Sequence, residues 1–296
     1  MGIYLIKKNI MKKVNIVYFL GLLLLMVGCV SSPKKTSIRY ATFNIRYDNP
    51  GDSLNNWKYR KDAVCKFILD KKIEVLGMQE VLHGQMNDLL EGLPGFSSVG
   101  VAREDGKTQG EYAPIFYRTD RFELLDSQTF WLSQYPDSIG FIGWDGACTR
   151  IATWAKLKDK SNGQVFMAIN THFDHVGIEA RKQGALLIIS RMKEIAGDYP
   201  AILTGDLNVS DQSEAYLTLT TNKYVLQDAY QIAEKKVGVD YTFHDFGRVP
   251  DAEREKIDFI FVSSGIKVLN SEIPQEGEKS GEYLSDHNPQ IADIEF

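Results

Sequence analysis

The feature that most constrains this chain is a recurrence of short β-prone runs, each closing on or beside a polar residue able to do chemistry. Residues 38–44 alternate and are rich in strand formers. Runs of the same kind occupy 74–80, 114–117, 122–130, 151–157, 165–170, 201–204, 257–262 and 290–294. Helical spacing appears between them at 57–69, 84–90 and, most clearly, 178–195. In the last of these Ala185, Leu186, Ile188, Ile189 and Met192 are apolar, while Arg181, Lys182, Arg191 and Lys193 are polar. Strands and helices mix without strict alternation, so the spacing predicts a sheet-on-sheet core covered by helices. With 44% hydrophobic and 25% charged residues the composition is that of a globular chain.

The N-terminal stretch reads separately. Lys12 and Lys13 precede an apolar run over 16–27, short of the roughly 18 residues that a spanning helix needs. Gly28-Cys29 follows. A basic start, a short apolar core and a small residue before the cut describe a secretory signal, and Met26-Val27-Gly28-Cys29 resembles a bacterial lipobox. The expected division is a lipoprotein signal peptide over 1–28, a lipidated Cys29 with a short tether over 29–37, and one globular domain over 38–296. Such a chain is secreted across the inner membrane. It is then held by its lipid on the periplasmic or cell-surface side of a bacterial membrane. Cys65 and Cys148 are then the remaining cysteines, either buried as small hydrophobes or paired in an oxidising compartment.

The reactive residues fall where the runs stop or start. Asn44, Glu80, His172 and the pair Asp206 and Asn208 follow apolar runs; Asp258 opens one, and Asp286 and His287 lie just before the last. Strands of one core share rims, and functional residues collect on the loops there. Each has a bland reading when taken singly. Gly205-Asp206-Leu207-Asn208 suits a turn, an acid after a strand is usually solvated, and Asp286-His287-Asn288-Pro289 suits a capped turn. Jointly they supply carboxylates, amides and imidazoles for one reaction.

Gly205-Asp206-Leu207-Asn208, Ser285-Asp286-His287 and Gln79-Glu80 resemble motifs of the endonuclease/exonuclease/phosphatase superfamily. Thr42-Phe43-Asn44, Asn170-Thr171-His172-Phe173-Asp174 and Lys256-Ile257-Asp258-Phe259 complete the series in the family's order. The resemblance runs from about Arg39 to Ile294. Phe130-Trp131-Leu132-Ser133, Gly143-Trp144-Asp145 and Tyr241-Thr242-Phe243-His244 point to a bacterial branch. It implies an α/β fold, a four-layer α/β/β/α sandwich of two packed mixed sheets flanked by helices, as in deoxyribonuclease I. The site would lie at one rim of this catalytic domain.

The resemblance also implies roles. Glu80 would ligate a divalent metal, with Asn44 beside it as ligand or support and Asp286 contributing. These hard donors suit Mg²⁺, with Mn²⁺ as a substitute. Asp206 would activate water, Asn208 would hydrogen-bond the phosphate or that water, and His287 would contact phosphate with its ring held by Asp258. His172 would be the second histidine near the leaving group, and the choice of general acid between the two stays open. Tyr112, in Glu111-Tyr112, falls where some relatives place a substrate-contacting tyrosine. Arg150 is either a phosphate clamp or an ion-pair partner. His175 and His244 are rim candidates. Trp131, Tyr135, Phe141 and Trp144 form an aromatic segment that suits either core packing or a stacking platform.

The implied activity is metal-assisted hydrolysis of a phosphodiester or phosphomonoester by in-line attack of water. Net charge narrows the substrate. Residues 1–28 carry four lysines and no acid, so their removal takes the charge from −5 to −9. Such a chain gains little from a polyanionic backbone. A small molecule, a single strand or a lipid head group fits better than long duplex DNA. The expected partners are that substrate and, through Cys29, the membrane. No protein partner is implied, and a monomer is expected. Two other classes compete: a catalytically inactive surface lipoprotein that binds glycans or nutrients, and a two-carboxylate glycosidase. The first would be free to lose some of Glu80, Asp206, Asn208, Asp258 and His287. The second leaves Asn208, Asp258 and His287 without work.

Overall fold

The computed structural model describes residues 37–221, 226–277 and 280–296. The signal, Cys29 and most of the tether lie outside the described residues. Thr36–Phe296 forms one compact unit. No helix among the described residues is long and apolar enough to cross a membrane.

In chain order the strands are β1 (Ser37–Asn44), β2 (Val75–Gln79), β3 (Phe96–Val99), β4 (Ile115–Arg118), β5 (Phe122–Trp131), β6 (Ile151–Asp159) and β7 (Val165–His172). They continue with β8 (Ala201–Asp206), β9 (Leu226–Asp228), β10 (Lys236–Gly238), β11 (Asp258–Ser263), β12 (Lys267–Ile273) and β13 (Gln290–Glu295). The main helices are α1 (Trp57–Asp70), α2 (His83–Gly92), α3 (Ile178–Ala196) and α4 (Glu214–Thr221). One sheet has the order β10-β12-β13-β1-β2-β4-β3, the other β5-β6-β7-β8-β11-β9. Each is mixed and built on a central parallel pair, β1 with β2 and β7 with β8, flanked by antiparallel β13 and β11.

Three apolar layers follow from strand alternation. Ala41, Phe43, Leu76 and Met78 face outward, onto Trp57, Val64 and Ile68 of α1 and Leu89 of α2. Met167, Ile169, Leu203, Phe259 and Phe261 face outward from the second sheet, onto Ala185, Ile188 and Met192 of α3 and Leu219 of α4. Their alternate neighbours Ile38, Tyr40, Val75, Phe166, Ala168, Ile202, Ile260 and Val262 meet between the sheets. This is the α/β/β/α sandwich that the resemblance implies.

Along these inner faces the chemistry changes in steps of two residues, the side-chain period of a strand. From the far end the strands are apolar, become polar at Thr42, Asn170 and Thr204, and carry Asn44, Gln79, His172 and Asp206 at the rim, where antiparallel β11 begins with Asp258. The middle tier ties the sheets together. Gln79 Nε2 donates to Asn170 Oδ1 at 2.7 Å and to Thr42 Oγ1 at 3.1 Å. Asn170 Nδ2 donates to the carbonyls of Met78 and Pro114 at 2.6 and 2.9 Å. Thr204 Oγ1 donates to Ile169 O or Asn170 Oδ1, both 3.1 Å away. Gly77 makes this approach possible, because a Cβ there would stand 2.2 Å from Thr204 Oγ1 and 2.5 Å from Asn170 Oδ1.

The structure lengthens several runs and adds others. β1, β7 and β8 end on Asn44, His172 and Asp206, so the ladder runs through the polar residues to the rim. β3, β9, β10, β12 and α4 were not legible in the pattern. Leu186 and Ile178 of α3 are exposed, at 44% and 67%, and lie outside its packed stripe. Cys65 and Cys148 are both free, with Cys65 buried on α1. Overfilling a well-packed site costs about 1–3 kcal/mol. Gly77→Ala is expected to lower stability by that amount, read as a shift in the denaturant midpoint at constant slope. An unchanged midpoint would mean that the sheets have room to separate there.

Candidate active site

All five strand-end residues of the inner faces arrive at one rim because the strands are in register. Asp206 stands opposite Asp258 in the β8–β11 pair and beside His172 in the β7–β8 pair. Asn44 is paired with Gln79, so Glu80, the next residue, lies just beyond the end of β2. Glu80, Asn208 and Arg46 have φ of 61°, 53° and 59°. Positive φ is strained for side chains with a Cβ and collects at functional sites.

Asp206 Oδ2 is where the groups converge. It accepts from Asn44 Nδ2 at 2.9 Å and lies 3.6 Å from His172 Nε2 and 3.8 Å from His287 Nε2. The other oxygen, Oδ1, accepts from the Asn208 backbone N–H at 2.8 Å. Burial pushes the Asp206 carboxyl up to about 7, and the neighbouring Asp258 carboxylate adds to this; His287 and the bonds from Asn44 and Asn208 oppose it.

The two histidines hold opposite charge states. Burial would pull His287 down, but Asp258, bonded to Nδ1 at 2.8 Å, holds it up to about 10, helped by Asp206 and Asp286. Its ring is an imidazolium at neutral pH. His172 is pushed well below its ordinary value by burial and by Arg150 and Arg103, so it is neutral. Asn208 Nδ2 lies 3.0 Å from His172 Nε2 and also donates to Phe173 O at 2.9 Å. The amide assigns the His172 proton to Nδ1, which faces Glu111 Oε2 at 3.8 Å. The Phe243 ring packs against the His287 ring at a tilt of 57°, with centroids 5.0 Å apart. The backbone N–H groups of His244 and Asp245 donate to Asp286 O.

A second acid group lies on the first sheet's side. Glu80 Oε1 accepts from Asn44 Nδ2 at 3.0 Å, and Oε2 from the Tyr47 N–H at 3.1 Å. Asp286 Oδ1 accepts from Ser285 Oγ at 3.1 Å. Arg46 reaches both acids, Nη1 4.0 Å from Glu80 and Nε 3.7 Å from Asp286, while bonded to Asp52. Burial raises the Asp286 carboxyl, and Glu80 adds repulsion that His287 and Arg46 oppose. Two neighbouring carboxylates, both hard oxygen donors with one arginine between them, fit a hard divalent cation. Asp206, Asp258 and His287 also bring donor atoms within 4.8 Å of one another, but His287 is charged and spent on Asp258, so Glu80 and Asp286 are the better cation pair. Cys148, Asp174 and His175 cluster equally tightly. There the Asp174 carboxylate is filled by the N–H groups of Ala147, Cys148, Val176 and Gly177 and faces Arg150 at 3.8 Å, which opposes a cation.

Some sequence-derived placements need correction. Asn44 ties Glu80 to Asp206 through Nδ2, while its Oδ1 accepts from the Arg46 N–H at 3.0 Å, so its amide donor serves to support the two acids. The Tyr112 hydroxyl donates to Lys107 O at 2.7 Å and lies 3.1 Å from His83 Nδ1, so it is committed away from a substrate. The neighbouring Glu111 is the residue that reaches His172. Arg150 is buried, 3.9 Å from Glu111 and 3.8 Å from Asp174, with Nη2 3.2 Å from His175 Nδ1, which is the ion-pair arrangement. Trp131 is core, its Nε1 donating to Arg103 O at 2.7 Å, whereas Tyr135 and Phe141 are exposed and meet edge to face. Glu111, Arg103 and Arg46 escaped the sequence reading. Glu111 and Arg103 lie in a stretch with no strand or helix period to assign their side chains a direction.

Residues 41–287 match the model of the Endonuclease/Exonuclease/phosphatase family. The chain belongs to that family and is a hydrolase of phosphate esters. A solved endonuclease/exonuclease/phosphatase from Bacteroides vulgatus is 62% identical, with a TM-score of 0.87 over 88% of this chain and 100% of that one. A mannosyl-6-phosphatase from Bacteroides thetaiotaomicron is 34% identical, with a TM-score of 0.82 over 88% of this chain and 100% of that one. Among curated proteins, a Nocturnin of Drosophila melanogaster is 26% identical over 187 residues, 57% of this chain and 27% of that protein. The chain spans about a quarter to a third of the length of the curated relatives it matches.

Asp174 offers a test of the rim's rigidity. Burial would raise its carboxyl, but the N–H bonds from Gly177, Val176 and Ala147, with Arg150, hold it down to about 2. A depressed carboxyl stabilises the fold above its unfolded pKa of about 4 and loses that contribution as pH falls toward the folded value. The melting temperature of the wild type is therefore expected to fall more steeply between about pH 4 and pH 2 than that of Asp174→Asn, which starts lower at neutral pH. Parallel curves would remove the N–H cage from the account.

Proposed function

We propose that this chain is a divalent-metal-dependent phosphatase that releases phosphate from a sugar phosphomonoester. The convergence on Asp206 Oδ2 carries the reading. A carboxylate that titrates near neutral pH, held by Asn44 and Asn208 and flanked by a charged imidazole, is placed to take a proton from attacking water. His287 Nε2–H, kept charged by Asp258, donates to the phosphoryl oxygens as negative charge builds there. Neutral His172, fixed by Asn208 and faced by Glu111, lies on the opposite side of Asp206 from the Asp258 pair. Glu80 and Asp286 would hold the cation, Mg²⁺ with Mn²⁺ as substitute, which when bound neutralises phosphoryl charge and polarises the ester. The sugar is supported by the likeness to the mannosyl-6-phosphatase, which this chain matches along that protein's whole length. The acidic balance disfavours a long polyanion.

The decisive assay runs hexose 6-phosphates, glycerol phosphate and single- and double-stranded nucleic acid with Mg²⁺, with Mn²⁺ and with EDTA. Hexose phosphate turnover is expected to vanish with EDTA and to fall about a hundredfold or more in Asp206→Asn and in His287→Ala. Full activity in Asp206→Asn would refute the proton-acceptor role. We further infer that the chain works tethered outside the inner membrane through Cys29. Labelled palmitate is expected to enter the wild type in bacterial cells and to be lost in Cys29→Ala; equal labelling would place the lipid elsewhere.

A further inference from the structure

Residues 45–56 leave the site and fold back on themselves outside β1. Four side chains fix their path. Gln85, buried at the start of α2, accepts from the Asp48 N–H at 3.0 Å and donates to Arg46 O at 2.9 Å. Arg60, buried on α1, donates to Ile45 O at 2.9 Å, to Asn55 O at 2.6 Å and to Leu284 O at 2.5 Å. Arg46 pairs with both oxygens of Asp52. Asn56 caps α1 through Lys58 N and donates to Asp48 Oδ1 at 2.9 Å. Ser53 sits at φ 54°, ψ −117°, a conformation rarely held by a residue with a side chain.

This stapled segment borders an open hollow of about 520 Å³, lined by Asp48, Asn56, Lys58 and Tyr59 together with Pro50, Ser53 and Leu54. That volume lies within the roughly 300–1,000 Å³ of small-molecule sites. The lining is polar with one large aromatic. The Tyr59 ring is 60% exposed, and Lys58 Nζ sits 4.7 Å from its centroid. Asp48 and Asn56, already bonded to each other, set a carboxylate beside an amide. Along the chain the hollow follows directly on the site, since Asp48 comes next after Tyr47, whose N–H is held by Glu80 Oε2.

We infer that this hollow is the subsite for the sugar of the phosphorylated substrate, with Tyr59 as the surface under the ring and Asp48 as acceptor for ring hydroxyls; the inference rests on the sugar-phosphatase reading above. A pyranose has an apolar C–H face and an edge of adjacent hydroxyls. One exposed aromatic beside a carboxylate and an amide matches both. A lipid chain finds too much polarity here. Preorganisation follows from the staples, because a segment already fixed loses little freedom on binding.

The test uses the full chain with Mg²⁺ and compares a hexose 6-phosphate with glycerol 3-phosphate, which has hydroxyls but no ring. Tyr59 and Asp48 are exposed, so Tyr59→Ala and Asp48→Ala leave the core intact. Each is expected to lower kcat/KM for the hexose phosphate about tenfold, mainly through KM. Glycerol phosphate should stay within about twofold, and Tyr59→Phe should keep hexose activity. No loss, or the same loss on both substrates, overturns the subsite and leaves the sugar-phosphatase reading standing. A wild type that cleaves glycerol phosphate but no hexose phosphate overturns that reading and the subsite with it.

Discussion

Everything at the rim depends on how closely the two sheets approach at Gly77. With no side chain there, Asn170 and Thr204 of the second sheet reach the backbone and side chains of the first, and Gln79 closes the bond between them. A purely apolar interlayer would let the sheets slide, because dispersion has no direction. A buried amide that must satisfy its donors and acceptors has only one acceptable position, since leaving one unmet costs about 1–3 kcal/mol. The tier of amides and hydroxyls thus fixes the relative height of Asn44 and Glu80 on one sheet and of His172, Asp206 and Asp258 on the other.

The rim then works by unequal neutralisation. Carboxylates outnumber cations around Asp206, and burial raises the penalty for each uncompensated charge. Asp258 spends its charge on His287; Glu80 and Asp286 share Arg46; Asp206 is left with neutral amides and an imidazolium 3.8 Å away that is already bonded to Asp258. With so little compensation, burial lifts the Asp206 carboxyl to about 7. Two histidines a few ångströms from the same oxygen end in different charge states: burial disfavours both imidazoliums, Asp258 overrides it at His287, and arginines add to it at His172.

Much of this was legible in the sequence, and the limits have physical causes. Long alternating strands such as β1, β7, β8 and β11 announce themselves, and the reactive residues were found because they end such runs. The ladder outlasted the apolar signal at His172 and Asp206, where the inner face turns polar while backbone pairing continues. β12 hid behind a register shift between Val268 and Asn270 and a polar stretch, and β9 and β10 are three residues each. At the site, Tyr112 drew attention that belonged to Glu111, one position earlier. Arg46, two residues beyond Asn44, lies past the last strand residue at a positive φ, where no strand period gives its side chain a direction. Asn44 is legible as a polar strand end, while the ties of its Nδ2 to Glu80 and Asp206 appear only once the sheets are packed.

The two-residue step that carries apolar, polar and reactive side chains up each inner face also limits how this scaffold can diverge. Inserting or deleting one residue inside β1, β2, β7, β8 or β11 turns every side chain beyond that point to the opposite face. The rim set would then be delivered into the helix layers. Length changes are therefore tolerable only past the last rung, in the segments that leave the rim. Chemistry and substrate choice are thereby written in separable parts of the chain: the strands must be inherited at constant length, and the loops are free to lengthen, shorten and be rewritten.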